Sequence, residues 1–299
     1  MKISFIVKGL IKKKAKLLEE IKTFFPGSQV FETSHAGHAV ELAANAVKAN
    51  FTHIIAVGGD GTLSEVVNGM ASTGNDSLPV LGLLSYGTAN DFSKTAGLDG
   101  SVKQLKELLF KNSVSKIDIG HVKFLGMDRL PAERFFINIG DIGIGGYIVE
   151  NINKSKKKLG ADMTFFLETL KGLFRYKKTK VKCRFNGFEW EGNTLSIVIA
   201  NGKYFGSGLC ISPDSTITDG KFGIVILGNV TVIDYLKNLS KIKRGEKMQH
   251  AEVFYKEANE IDIIPEESSC SIDLDGEFIG YAPATFKIIP ARINFLINQ

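Results

Sequence analysis

Cysteine is scarce. Only three occur in 299 residues, at Cys183, Cys210 and Cys270. No CxxC pair exists, so the sequence suggests neither a zinc knuckle nor a disulfide framework. The odd, dispersed count fits reduced, buried thiols in a cytoplasmic protein. Histidine is also sparse, and His53, His121 and His250 show no metal-ligand spacing. The single tryptophan, Trp190, reads as local packing. No segment approaches the ~20 apolar residues needed to cross a bilayer as a helix. The apolar run Ile3–Val7 is too short for a signal-peptide core, is broken by Lys8, and reads as a buried strand. There is no internal repeat and no low-complexity tract. Any membrane must therefore be met from outside.

What is present is an ordinary globular balance, 44% apolar and 23% charged. The length suits a large core and two domains. Net charge is only +5, but the cations cluster at Lys154 to Lys158, Arg175 to Lys182 and Lys237 to Lys247. Charge alone leaves nucleic acid, an anionic membrane surface and plain solvated faces open.

Periodicity divides the chain. Up to about residue 120, strands at 2–7, 29–32, 53–57, 79–84 and 116–122 alternate with helices at 12–25, 37–49, 63–70 and 102–110. Such alternation predicts a parallel sheet covered on both faces. Strand-like runs at 134–139, 180–185, 194–200, 222–227, 261–264 and 286–289 then predict an antiparallel sandwich or barrel. One helix interrupts it, with Leu159, Met163, Phe166, Leu167, Leu170, Leu173 and Phe174 on one face. That helix packs on its own domain or forms a basic amphipathic element that touches membrane or lines an acyl groove.

Residues 53–62 read His-Ile-Ile-Ala-Val-Gly-Gly-Asp-Gly-Thr. A buried strand enters a glycine turn and then a helix. Glycine lets the backbone approach a ligand closely, and a helix N-terminus presents N–H groups to phosphate. Asp60 places a carboxylate where phosphate should sit, so a divalent cation must bridge them. That combination implies magnesium with ATP. A second glycine turn, Ser85-Tyr86-Gly87-Thr88-Ala89-Asn90-Asp91-Phe92, leaves the strand 79–84. Parallel strands share one crevice at their carboxyl ends, so Asp60, Thr88, Asn90 and Asp91 can converge. For the second turn, an Asn/Asp helix cap is the plainer reading. Gly143-Ile144-Gly145-Gly146 lacks the helix and ribose acid of a dinucleotide site. It reads as a structural turn at the domain junction or acceptor cleft.

GGDGT followed by GTANDF resembles the catalytic domain of the diacylglycerol kinase and sphingosine kinase superfamily, in its soluble bacterial lipid kinases. The likeness extends through Thr33–Ala39, Asn201–Gly208, Pro213, Asp219-Gly220 and Leu274-Asp275-Gly276-Glu277. It implies a Rossmann-like, phosphofructokinase/NAD kinase-like three-layer α/β domain and a mainly antiparallel β-sandwich domain. The nucleotide domain would be 1–120 with 288–299 returning, and the lipid-acceptor domain 121–287. Carried over residue by residue, Thr33, Gly58, Gly59, Asp60, Gly61, Thr62, Glu65, Gly87, Thr88, Asn90 and Asp91 would bind nucleotide. Asp60 and Asp91 would hold magnesium with it, and Glu277 would accept the proton with Asp275 beside it. A structural magnesium would use Asp219, with Thr216 and Lys221 contributing backbone oxygens. Asp275 and Glu277, two apart, would face one side of an extended chain. An Asp-Gly surface hairpin is the plain alternative. The family's first Asn-Pro turn is replaced by Lys8-Gly9, where Lys8 or Lys12 would approach a phosphate as a point charge.

The expected activity is ATP-dependent transfer of the γ-phosphate to a diacylglycerol-like or related lipid alcohol, within phospholipid biosynthesis. The protein would be cytoplasmic and peripheral at the inner membrane surface. The resemblance leaves a homodimer open and suggests no nucleic-acid partner. Two other readings stand beside it. An NAD kinase also carries GGDGT. A catalytically inactive lipid-binding regulatory module would explain the altered first turn.

Overall fold

The structure, a computed structural model, describes residues 1–11, 13–154, 169, 171–266 and 270–298. The first part runs β1 (Ile3–Val7), α1 (Lys14–Phe24), β2 (Gln29–Glu32), α2 (His38–Lys48), β3 (His53–Gly58), α3 (Asp60–Ala71), β4 (Val80–Ser85), α4 (Asp91–Thr95) and α5 (Val102–Lys111). The strands pair in parallel in the order β2, β1, β3, β4. β1 and most of β3 are apolar and buried on both faces, as a sheet between helix layers requires. α1 and α5 bring Leu17, Ile21, Leu105 and Leu108 to one face. α2 and α3 bring Ala39, Ala43, Val66 and Met70 to the other. Alanine and Gly69 let α2 and α3 approach closely. A Cβ on Gly69 would lie 2.8 Å from the Ala43 Cβ and would strike the Val40 carbonyl.

The second part is β5 (Val114–Gly126), β6 (Pro131–Phe136), β7 (Ile139–Gly143), α6 (Ile144–Lys154), β8 (Thr179–Phe185), β9 (Phe188–Thr194), β10 (Ser196–Ala200), β11 (Tyr204–Phe205), β12 (Leu209–Cys210), β13 (Phe222–Leu227), α7 (Val232–Lys243), β14 (Val253–Ala258), β15 (Glu260–Pro265), β16 (Ser271–Leu274) and β17 (Glu277–Leu296). One layer is β14-β13-β10-β7-β16, and the other joins β9, β8, β15, β17, β5 and β6. Between them lies an apolar core. In it Phe136 stacks on Phe222 at 5.6 Å and meets Phe286 edge-on at 5.9 Å. The 20-residue strand β17 pairs with β16, β15 and β5, and near its end Phe295 pairs in parallel with Leu81 of β4.

Three expectations change. The run 134–139 is two strands, because the N–H groups of Ile137, Asn138 and Ile139 turn to donate to the Asp275 carboxylate. The Gly143–Gly146 run does open a helix, α6, which periodicity missed because glycines hide the start of its apolar face. α7 was also missed, although Thr231 caps it by accepting from the Asp234 N–H at 3.1 Å. The expected helical face Leu159, Met163, Phe166, Leu167 and Leu170 lies outside the described residues, as do Lys12 and 156–158. Leu173 and Phe174 lie in a helical turn at 171–175. Among the described residues no helix is long and apolar enough to cross a membrane.

Gly69→Ala is expected to destabilise the fold by about 1–3 kcal/mol through forced separation of α2 and α3. Urea unfolding of both proteins measures this.

Candidate active site

The two glycine turns lie against each other. A Cβ on Gly59 would fall 3.0 Å from the Gly87 Cα, and one on Gly58 would fall 2.7 Å from the Thr62 Cβ. Neither position has room for a side chain. The Tyr86 N–H donates to the Gly58 carbonyl at 2.7 Å and joins the turns. Asn90, at φ 50°, closes the second turn. It accepts from the Gly87 N–H at 3.0 Å and donates to the Gly87 carbonyl at 3.1 Å. Thr88 stands exposed at the rim.

Asp60, first residue of α3, accepts from the N–H groups of Asp91 (3.1 Å) and Phe92 (3.0 Å). One carboxylate thus leaves the first turn and caps the helix after the second. Burial, and secondarily the neighbouring Asp91, push its pKa up. A cation would relieve both effects, and hard carboxylate oxygens suit magnesium. Asp91 fits a ligand role less well. Its oxygens take the Lys94 ammonium (2.8 Å) and the Ser207 N–H (2.9 Å), tying α4 to the β11–β12 turn. Among the described residues no cluster of three His, Cys, Asp or Glu side chains is placed for a metal. The remaining ligands at Asp60 would have to come from phosphate and water.

Other expected residues have structural partners. Glu65 accepts from the N–H groups of Gly37 (3.0 Å) and Ala39 (3.1 Å), anchoring the start of α2. The Thr33 hydroxyl accepts from the Gly9 N–H at 3.1 Å and so holds the altered first turn. Lys14, not Lys8, donates to the Gly9 carbonyl, at 3.0 Å. Thr216, Asp219 and Lys221 are all exposed; Asp219 accepts from the Lys221 N–H, and the Lys221 ammonium pairs with Glu257.

Asp275 and Glu277 do not share one face of an extended chain. Asp275 (φ 51°) and Gly276 (φ 87°) form the β16–β17 turn. The Asp275 carboxylate turns inward to three backbone N–H groups, with its pKa raised to about 6 chiefly by burial. Glu277 instead points to the glycine turn. It lies 3.4 Å from where a Gly61 Cβ would stand, and Arg134 grips it at 2.5 Å.

Several polar residues escaped sequence reasoning. Arg134 is 143 positions from Glu277 and carries no local signal. Asp118, 1% exposed, accepts from the N–H groups of Gly220 and Ala291, both at 2.7 Å. Its signal is a lone acid inside the apolar run Ile117-Asp118-Ile119. Asp141 and Asp273 face each other in register across β7 and β16. Ser196 donates to Asp141, whose pKa rises to about 7 through burial. Burial, then Asp141 and Asp275, push Asp273 well up too.

Residues 8–122 match the family described as the diacylglycerol kinase catalytic domain. Residues 141–297 match the YegS C-terminal NAD kinase beta sandwich-like domain. The chain is 27% identical over 286 residues to a diacylglycerol kinase of Bacillus subtilis, covering 95% of this chain and 90% of that one. It is 27% identical over 280 residues to one from Staphylococcus aureus, covering 91% and 84%. A crystal structure of a diacylglycerol kinase from Bacillus anthracis superposes with a TM-score of 0.72 at 21% identity, covering 99% and 97% of the two chains. An NAD kinase from Archaeoglobus fulgidus in complex with ATP superposes at 0.51 and 13% identity, covering 99% and 94%. These superpositions establish a common fold.

Asp60→Ala is expected to lower unfolding free energy by about 2 kcal/mol or more, since two backbone donors lose their acceptor. Asp60→Asn keeps an acceptor for one of the two donors and sets its NH2 against the other, so it should lose part of that stability but less than Asp60→Ala; urea unfolding separates the two. Asp141 gives a pH signature. Its folded pKa of about 7 lies above its ordinary 3.8, so its stabilising contribution is full below about pH 4 and fades as pH rises through about 7. Asp141→Asn should therefore gain on wild type as pH rises, by on the order of 2–4 kcal/mol at pH 8. Unfolding at pH 4 and pH 8 measures that gap.

Proposed function

This chain belongs to the diacylglycerol kinase family and is a lipid kinase that transfers phosphate to an alcohol; we propose that its donor is ATP with magnesium and its acceptor a diacylglycerol-like lipid alcohol. The observation that carries this reading is the contact of the two glycine turns, with Asp60 between them and Glu277 beside Gly61. On this reading residues 1–120 with 288–299 hold the nucleotide, and 121–287 receive the lipid from a membrane surface.

When bound, ATP supplies the γ-phosphoryl group and magnesium offsets its charge. Gly58, Gly59 and Gly61 leave the backbone bare for phosphate, and Thr88 borders the same crevice. Asp60 would hold the metal. Asp91, engaged by Lys94 and Ser207, keeps α4 in place rather than donating to the ion. Glu277, oriented by Arg134, accepts the proton of the attacking hydroxyl. Asp275 positions the hairpin that presents Glu277. Asp219, Thr216 and Lys221 remain the residues to vary in a search for a structural ion.

Labelled ATP with a lipid panel tests the reading. Label should enter a diacylglycerol-like lipid and require magnesium. Turnover of NAD without lipid would sink the lipid acceptor in favour of an NAD kinase. Absence of both turnover and ATP binding would support the inactive module. Glu277→Gln should reduce kcat by roughly 10²–10⁴-fold with the fold intact. If Glu277→Gln stays active while a folded Asp275→Asn is dead, the proton acceptor is Asp275.

A further inference from the structure

The segment 134–139 lies between the two halves of the candidate site and is fastened to both. On one side is α3, which begins with Asp60 and Gly61. Further along the same helix, roughly 12 Å from Asp60, Asn68 closes a two-way amide clamp on β6. It accepts from the Phe135 N–H at 2.9 Å and donates to the Phe135 carbonyl at 2.7 Å. Its NH2 also donates to the Ser64 carbonyl one turn back, at 2.9 Å. Asn68 is 7% exposed, so these bonds form away from water. Among the described residues β6 pairs with β5 alone, which leaves one edge of β6 open. A side-chain amide is the group that can satisfy a strand N–H and carbonyl together at such an edge.

On the other side is the β16–β17 turn. The N–H groups of Ile137, Asn138 and Ile139 donate to Asp275, and Arg134 holds Glu277. The sheet ladder does not make the second link, because β5 stands between β6 and β17. The Glu277 oxygens divide their tasks. Oε2 takes the Arg134 guanidinium at 2.5 Å, while Oε1 is the atom 3.4 Å from where a Gly61 Cβ would stand. A circuit thus closes from Asp60 along α3 to Asn68, through Phe135 and Arg134 to Glu277, and back to Gly61. Closure fixes a separation that either link alone would leave loose. Phosphoryl transfer needs that separation, since a displacement of about 1 Å can cost on the order of 10²-fold in rate.

We propose that Asn68 is a positioning residue for phosphoryl transfer: through 134–139 it sets the distance between the glycine turn and Glu277. The role rests on Glu277 as proton acceptor, and one arm of its test needs no turnover.

That arm is hydrogen exchange of the full chain without nucleotide. Asn68→Ala should speed exchange at Phe135 and also at Ile137, Asn138 and Ile139, by about tenfold, with circular dichroism unchanged. Faster exchange at Phe135 alone would show that the clamp does not reach Asp275, and would end the proposal. The second arm is turnover of dioctanoylglycerol with magnesium and ATP. Asn68→Ala should lower kcat by roughly 10–100-fold at unchanged KM for ATP. Asn68→Gln keeps the amide one methylene further out and should lose less; it carries both arms if Asn68→Ala does not fold. Arg134→Gln should also lower kcat, and the double variant Asn68→Ala/Arg134→Gln should lose little more than the worse single one. Losses that multiply would make the two residues independent and overturn the circuit. Wild-type kcat in Asn68→Ala beside a dead Glu277→Gln would overturn it too. Full kcat in Glu277→Gln, or no turnover by the wild type, would instead strike the reading of the site, and hydrogen exchange would then decide the role of Asn68 by itself.

Discussion

β17 is hydrogen-bonded in both parts of the chain, and the placement of everything else follows from that. Its beginning pairs with β16 and sets Glu277; its end pairs with β4, whose carboxyl end leads into the Gly87 turn. Pairing with β5 along most of its length, broken only by irregularities between Tyr281 and Thr285 and between Ile289 and Ile293, relates the two ends to each other. The turn that holds Asp60 and the hairpin that holds Glu277 are therefore referred to one ruler. Asp118 reinforces it, since one buried carboxylate holds Gly220 and, within β17, Ala291.

Carboxylates act throughout this molecule as anchors for backbone. Asp60, Glu65, Asp91, Asp118 and Asp275 each accept from main-chain N–H groups of another segment. Burying an acid is unfavourable unless donors surround it, and each of these finds them on a neighbouring segment. The crevice is built by the same residue type that a metal-dependent phosphotransferase needs for its ion. This is why Asp60→Ala perturbs more than charge.

Much of this was legible in the sequence, for a local reason. Strand, glycine turn and helix lie next to one another at 53–71 and 79–95, so their physics is written in adjacent residues. Alternation revealed the parallel layer, and short apolar runs revealed most of the sandwich. What failed was long-range. The break at Ile137–Ile139 is imposed by Asp275, and the Arg134–Glu277 contact joins strands far apart in sequence. Spacing alone placed Asp275 and Glu277 on one face, but two successive positive φ values turn the first inward. The glycines at 143–146 concealed α6 because its close contacts, with Asp141 and the Ser271 carbonyl, belong to tertiary packing.

The path of β17 bears on how the protein is made. Ile293, Phe295 and Leu296, near the far end of the chain, fill the core of the first part. While a ribosome is still adding the β-rich part, the nascent N-terminal sheet has β4 as a bare edge and a gap where Phe295 belongs. An unpaired edge of this kind invites association with other chains. The segment emerging first is thus the one that must wait longest to finish folding, and chaperone contact during synthesis should concentrate on β4.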